Sequence, residues 1–180
     1  MAAGITALYT IGHGVAPIDQ FITWLQASQI ASLVDVRRFA GSRRNPQYNS
    51  SELRASLAQA GIAYRNAVEL GGRRKPRADS ENGGLRNEAF RGYADYMETG
   101  EFRSAFAELV GEADTAATVV MCSETLWWRC HRRLIADAVV LLGGRPVTHI
   151  VSGKLSPHVP TEGVRPIDDR LRYGTGPLGV

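Results

Sequence analysis

Short apolar, β-branched runs recur along this chain, each followed by a stretch with helical spacing, and that alternation constrains the fold more than any other feature. Residues 5 to 11, 31 to 37, 118 to 122 and 146 to 151 read as strands, with a weaker one at 62 to 66. Behind the first of them, Pro17 suits the first turn of a helix whose Phe21, Ile22 and Leu25 form an apolar face. Ser51 to Ala60 carries Leu53 and Leu57 four apart and is stopped by Gly61. Glu88 to Met97 and Phe102 to Val110 show the same spacing, and a long helix is predicted from the end of the 118–122 strand to Leu142. The pattern predicts one α/β domain over residues 1–180: a mostly parallel sheet flanked by helices, in a Rossmann-like three-layer arrangement. Residues 152–180 hold Pro157, Pro160, Pro166 and Pro177 and are expected to wrap the surface as an irregular tail.

Composition narrows the setting. The longest apolar runs, such as residues 136 to 142, fall short of a membrane span and carry charge, so no membrane partner is expected. No basic segment followed by an apolar core opens the chain, and only two cysteines are present. Both point to a reducing, cytoplasmic setting with free thiols. The net charge is only +3, yet arginine supplies 19 of the 21 basic residues. Genomic base composition accounts for such a bias more readily than function does, so the positions of the arginines carry more information than their number.

Three predicted strand ends bear chemistry: Gly12-His13-Gly14, the segment from Asp35 through Arg37 and Arg38, and Cys122-Ser123-Glu124. In parallel α/β folds ligands gather beyond the carboxyl ends of the strands, so these segments are expected to converge. Cys122 would lie where a strand hands over to a helix, a position whose dipole favours thiolate. It reads either as a nucleophile or as a small buried hydrophobe. Glu124 opposes ionisation of that thiol, whereas Arg129, Arg132 and a charged His131 favour it. His131 is a candidate general base or a hydrogen-bonded core histidine. Cys130 lines up with Leu134, Ala138 and Leu142, which favours packing. Were the 122–130 segment one helix, the two thiols would stand about 12 Å apart, too far for a shared metal. A metal site built from Cys122, Cys130, His131 and His13 is therefore the weakest reading.

Asp35 either orients an arginine or substrate, or forms a structural ion pair with Arg37. Ser42 and Arg43 follow in a loop suited to anions. The basic run 73 to 77 lies between the glycine pairs 71–72 and 83–84, which would let it close as a lid. Six residues separate Cys122 from Arg129, and two are tryptophans, which excludes a phosphatase loop. No dinucleotide fingerprint or Walker loop is present.

These residues also match a known pattern. Tyr9 to His13, Val34 to Arg37 with Ser42-Arg43, Gly61-Ile62-x-Tyr64, Leu70-Gly71-Gly72, Phe90-x-x-Tyr93-Ala94, Cys122-x-Glu124 with Cys130-His131-Arg132, and His149-Ile150 resemble the family called domain of unknown function 488. The resemblance spans about four-fifths of the chain in the family's order. It departs at Gly14, where the family often has Ser, and at Ala40, where it often has Pro. It implies an α/β fold and a site drawn from His13, Asp35, Arg37, Ser42, Arg43, Cys122, Glu124, His131 and Arg132. It supplies no reaction and names no cofactor.

The expected activity is thiol-dependent hydrolysis or group transfer on an anionic, phosphate-bearing or nucleotide-like substrate. In that reading Cys122, Glu124, His131, His13 and Asp35 are catalytic, and Arg37, Ser42, Arg43, Arg129 and Arg132 hold the substrate. The rival is a non-catalytic module that binds nucleic acid or nucleotide through arginines and tryptophans. The sequence specifies no oligomeric state.

Overall fold

The computed structural model describes residues 7–174, and the strand around which the rest is arranged is β4 (Thr118–Cys122), buried at every position. A run of apolar residues without alternation is what a strand covered on both faces requires. β4 lies between β2 (Ser32–Asp35) and β1 (Leu8–Gly12), with β3 (Ala63–Asn66) beyond β2 and β5 (Val147–Val151) beyond β1. These five strands are parallel, and β6 (Lys154–Pro157) adds an antiparallel edge, giving the order β3-β2-β4-β1-β5-β6.

The pleat sorts the residues of β4 between two cores. Val119 and Met121 pack with Phe21 and Leu25 of α1 (Ile18–Ala27) and with Leu53 and Leu57 of α2 (Ser50–Gln59). Val120 and Cys122 face the opposite layer, built by α3 (Glu88–Tyr96), α4 (Gly100–Thr115) and α5 (Arg132–Leu141). The three-layer expectation holds, and the strands agree with the sequence reading to within a few residues. The predicted start of the first strand at Ile5 and Thr6 lies outside the described residues. Among the described residues no helix is long and apolar enough to cross a membrane.

Two expectations fail. The long helix from Cys122 does not form: residues 123 to 131 make an irregular loop with one 3-10 turn at Trp127–Arg129, and α5 begins only at Arg132. The loop is held by tertiary contacts that outweigh helical spacing: the Trp127 ring stacks on His149 at 4.0 Å and 8°. Cys122 therefore has no helix dipole beneath it. The carboxyl-terminal stretch is also more regular than expected. Besides β6, it forms a separate hairpin of β7 (Val164–Ile167) and β8 (Arg170–Tyr173). Pro157 and Pro166 fit because each lies in an edge strand, where a missing N–H costs nothing. Pro177 lies outside the described residues.

Candidate functional site

The register brings the three strand ends side by side: Gly12 is level with Cys122, and Asp35 with Met121. His13 and Gly14 continue the ladder, donating their main-chain N–H groups to the carbonyls of Cys122 and Ser123. Gly12 permits this closeness, since a Cβ there would lie 1.8 Å from the Glu124 carbonyl oxygen. Over these ends opens a cleft with two compartments. The inner one, about 120 Å³, is lined by Arg37, Arg38, Arg73, Cys122, Ser123 and His131, closed by Phe39 and Gly72. The outer one, about 530 Å³, shares Arg37, Phe39, Arg73 and Ser123 and adds His13, Ser42, Asn45 and Glu124 among others.

Asp35 is fully buried and accepts from Arg37 Nε at 2.9 Å and Nη2 at 2.6 Å, and from the Tyr64 hydroxyl at 2.9 Å. This is the ion pair, and its effect is to aim Arg37 into the cleft; Asp35 itself lines neither compartment. His13 stacks on Tyr48 at 4.0 Å, and its ring nitrogens reach the Gly14 carbonyl at 2.9 Å and Arg37 Nη1 at 3.3 Å. Burial, with the nearby Arg37 charge, lowers its pKa to about 4, so the ring is neutral near pH 7. A neutral ring donates from Nδ1 and accepts from Arg37 at Nε2.

The non-helical loop returns the chain to its starting point. One ligand-capable atom from each of Cys122, Cys130 and His131 lies within 4.8 Å of the other two. Cys130 Sγ is 3.6 Å from His131 Nδ1, and both cysteines are free and buried. The two thiols interact, and the interaction splits their acidities. Cys130 is lowered to about 6 by the Cys122 S–H and by the Arg132 charge and N–H, against its burial. Cys122 is raised to about 12 by that same pairing and by burial. Cys130 is thus the thiol more disposed to ionise, and Cys122 is the sulphur that opens on the inner compartment. His131 meets the edge of Tyr93 at 5.0 Å, and its Nε2 is buried without a hydrogen-bond partner.

The remaining residues named from the sequence scatter. Glu124 stands exposed on the outer rim, its Oε1 accepting from the Leu126 N–H at 3.1 Å. Ser42 lines the outer compartment, but its hydroxyl accepts from the Asn45 N–H at 3.1 Å. Arg43 and Arg129 are exposed and line neither compartment. Arg132 is 1 % exposed and lines neither; it donates to Thr10 Oγ1 and to the Glu124 carbonyl, bracing the loop from below.

In place of those arginines, the cleft takes Arg38 and Arg73, which flank the exposed Phe39 ring at 5.8 and 5.6 Å from its centroid. Arg73 has φ 60, an uncommon conformation for a side-chain-bearing residue. No local sequence signal distinguishes it from its neighbours in the basic run. The end of that run and the chain after it are tied to α3: Asp95 accepts from the Arg77 N–H, the Ser80 hydroxyl and the Asn82 amide, at 2.7 to 2.8 Å. A buried chain of polar groups also escaped the sequence reading. Thr10 Oγ1 meets His149 Nδ1 at 2.6 Å, His149 Nε2 meets His158 Nδ1 at 2.9 Å, and His158 Nε2 meets Asp137 Oδ1 at 2.9 Å.

Comparison with curated proteins and with solved structures found no match for this chain. The family model described as "Domain of unknown function DUF488" matches residues 17–139, which include the Asp35–Arg37 pair and the whole thiol cluster. The chain belongs to the DUF488 family.

Proposed function

We propose that the protein is a thiol-dependent enzyme, a hydrolase or transferase, acting on an anionic, phosphate-bearing substrate held in the cleft over β1, β2 and β4. One observation carries this reading: Cys122 opens into a compartment whose other lining includes three arginines and His131. Arginines so close together repel one another unless an anion or acid relieves them. Asp35 answers Arg37, while Arg38 and Arg73 make no ion pair among the described residues. Arg38 gives one N–H to the Arg73 carbonyl at 3.3 Å, and the two guanidinium groups keep further N–H donors for phosphate beside the exposed Phe39 ring.

Work is divided by position. Arg37, fixed by Asp35, Tyr48 and His13, is the rigid anchor; Arg38 and Arg73 are the adaptable ones. The chemistry takes place at Cys122, Cys130 and His131, and Ser123 lies between them and the outer compartment. The test is alkylation of Cys122 followed by mass spectrometry, with and without inorganic phosphate and with chloride at matched ionic strength as the control. Phosphate should slow alkylation saturably, and Arg38→Ala together with Arg73→Ala should remove that protection. An alkylation rate indifferent to phosphate refutes the reading.

A further inference from the structure

We propose that Cys122, Cys130 and His131 form a three-ligand site for a soft or borderline divalent cation of the zinc kind, with the open coordination position facing the arginine-lined compartment. The inference rests on the function proposed above for what approaches that open position, and it specifies what the two thiols do: they hold a cation.

Geometry comes first. A tetrahedral zinc centre with two sulphurs and one imidazole nitrogen keeps its ligand atoms about 3.5–3.8 Å apart. Here the three atoms lie within 4.8 Å of one another, and the Cys130–His131 separation is already 3.6 Å. Closing the widest of these gaps by at most about 1 Å reaches that spacing. The ligands are also held from outside: Arg132 ties the loop to the Glu124 carbonyl, and Trp127 is stacked on His149. Gly72 leaves room for the imidazole, since a Cβ there would lie 2.8 Å from His131 Nδ1.

Chemistry agrees with geometry. Two sulphurs and an imidazole select zinc-like ions over magnesium or calcium, which take oxygen. Thiols at 8 % and 5 % exposure cannot both ionise cheaply, but two thiolates with a divalent cation are neutral. Adding buried Arg132 leaves one positive charge, which an anion in the open position would cancel. His131 has a nitrogen to give, because Nε2 is buried and unpartnered and Nδ1 faces a thiol.

Structural zinc sites close with a fourth protein ligand, whereas catalytic ones leave a place for water or substrate. Among the described residues no fourth His, Cys, Asp or Glu joins the cluster. His13, the sequence candidate, is occupied by Arg37 and the Gly14 carbonyl. The vacant direction is the inner compartment, since Cys122 and His131 both line it. An anion drawn in by Arg37, Arg38 and Arg73 would then meet a Lewis acid.

The experiment titrates reduced, chelator-treated full-length protein with cobalt(II). One equivalent should bind with tetrahedral visible bands and sulphur-to-cobalt charge transfer, zinc should displace it, and Cys122→Ser or Cys130→Ser should abolish the charge transfer or halve it. Because both cysteines lie in the core and either variant could unfold, a second measurement uses the unaltered chain: one equivalent of zinc should protect both thiols from Ellman's reagent. Absent uptake, or uptake that leaves the thiols reactive, overturns the site. If cobalt does not bind while phosphate still protects Cys122 from alkylation, this inference fails and the proposed function stands. If cobalt binds but phosphate neither shifts its bands nor protects Cys122, the metal site stands and the anion-substrate reading fails.

Discussion

Replacing Asp137 by alanine should cost about 3–5 kcal/mol of folding stability, the range expected when one partner of a buried charged network is removed. The structure shows why the value belongs at that level. The carboxylate is fully buried in α5 and accepts four hydrogen bonds, from His158 Nε2 at 2.9 Å, the Thr161 N–H at 2.8 Å, the Thr161 hydroxyl at 2.7 Å and the Tyr173 hydroxyl at 2.9 Å. Alanine leaves these donors in a dry interior, and each unmet buried donor costs about 1–3 kcal/mol, less whatever relaxation recovers. Against a total stability of about 5–15 kcal/mol this is a large fraction. For a chain of this size it corresponds to a fall in Tm of about 6–20 °C. Urea denaturation followed by circular dichroism would read it as a lower midpoint at unchanged slope. Asp137→Asn keeps the shape and one acceptor, so its cost should be smaller. The damage should also travel. The β7–β8 hairpin hangs on Tyr173, and the relay through His158 and His149 ends at Thr10 and Arg132, so Cys122 should become easier to alkylate. An alanine variant costing less than about 1 kcal/mol, or less than the asparagine variant, would refute the view that this network ties the carboxyl-terminal hairpin to the sheet.

Further expectations concern the cleft and its floor. Asp35→Asn strands the buried Arg37 guanidinium and should cost about 3–5 kcal/mol in urea melts while weakening phosphate protection of Cys122; full protection would show that Asp35 does not aim Arg37. His13 stays neutral in the fold down to about 4, whereas the unfolded chain takes up its proton near 6.5. Its contribution is therefore whole above about 6.5 and is lost as pH falls toward 4, at about 1.4 kcal/mol per pH unit and about 3 kcal/mol in all. Stability measured at stepped pH should fall less steeply for His13→Gln, and equal slopes would exclude the effect. Gly72→Ala forces the His131 ring to move and should weaken cobalt binding by tenfold or more with little loss of secondary structure, as spectrophotometric titration would show. Tyr173→Phe removes one bond to the Asp137 carboxylate and should cost about 1.5–3 kcal/mol by the same melts.

What could be read from the sequence follows the range of the forces involved. The strands and the first four helices depend on local apolar spacing, so Leu53 with Leu57, or the unbroken run of β4, revealed them. Convergence of His13, Arg37 and Cys122 followed from the rule that parallel strands share a carboxyl-terminal edge. The 123–131 loop was misread because its spacing is helical while its conformation is set by distant groups: Trp127 stacks on a residue of β5, and Arg132 reaches Thr10 of β1. That error mattered most. On one helix the thiols would stand too far apart to act together, whereas the loop brings them into one cluster with His131. The tail was misread because prolines, taken as breakers, sit on edge strands where they are tolerated.

The arginines divide between scaffold and cleft in a way their sequence positions conceal. Arg132, adjacent to His131 and surrounded by polar residues, looked like a substrate contact, yet it is the more deeply buried and pairs with no carboxylate among the described residues. A guanidinium cannot shed its proton to escape that cost, and its charge favours ionisation of Cys130 beside it. Arg73, in a run that reads as a solvated loop, is instead held at positive φ on the cleft wall. Burial thus turns an arginine two residues from Cys130 into a fixed support beneath the thiol loop. The cations free to meet a ligand come from the loops after β2 and β3, which are remote from the thiols in sequence and adjacent to them only because parallel strands end together.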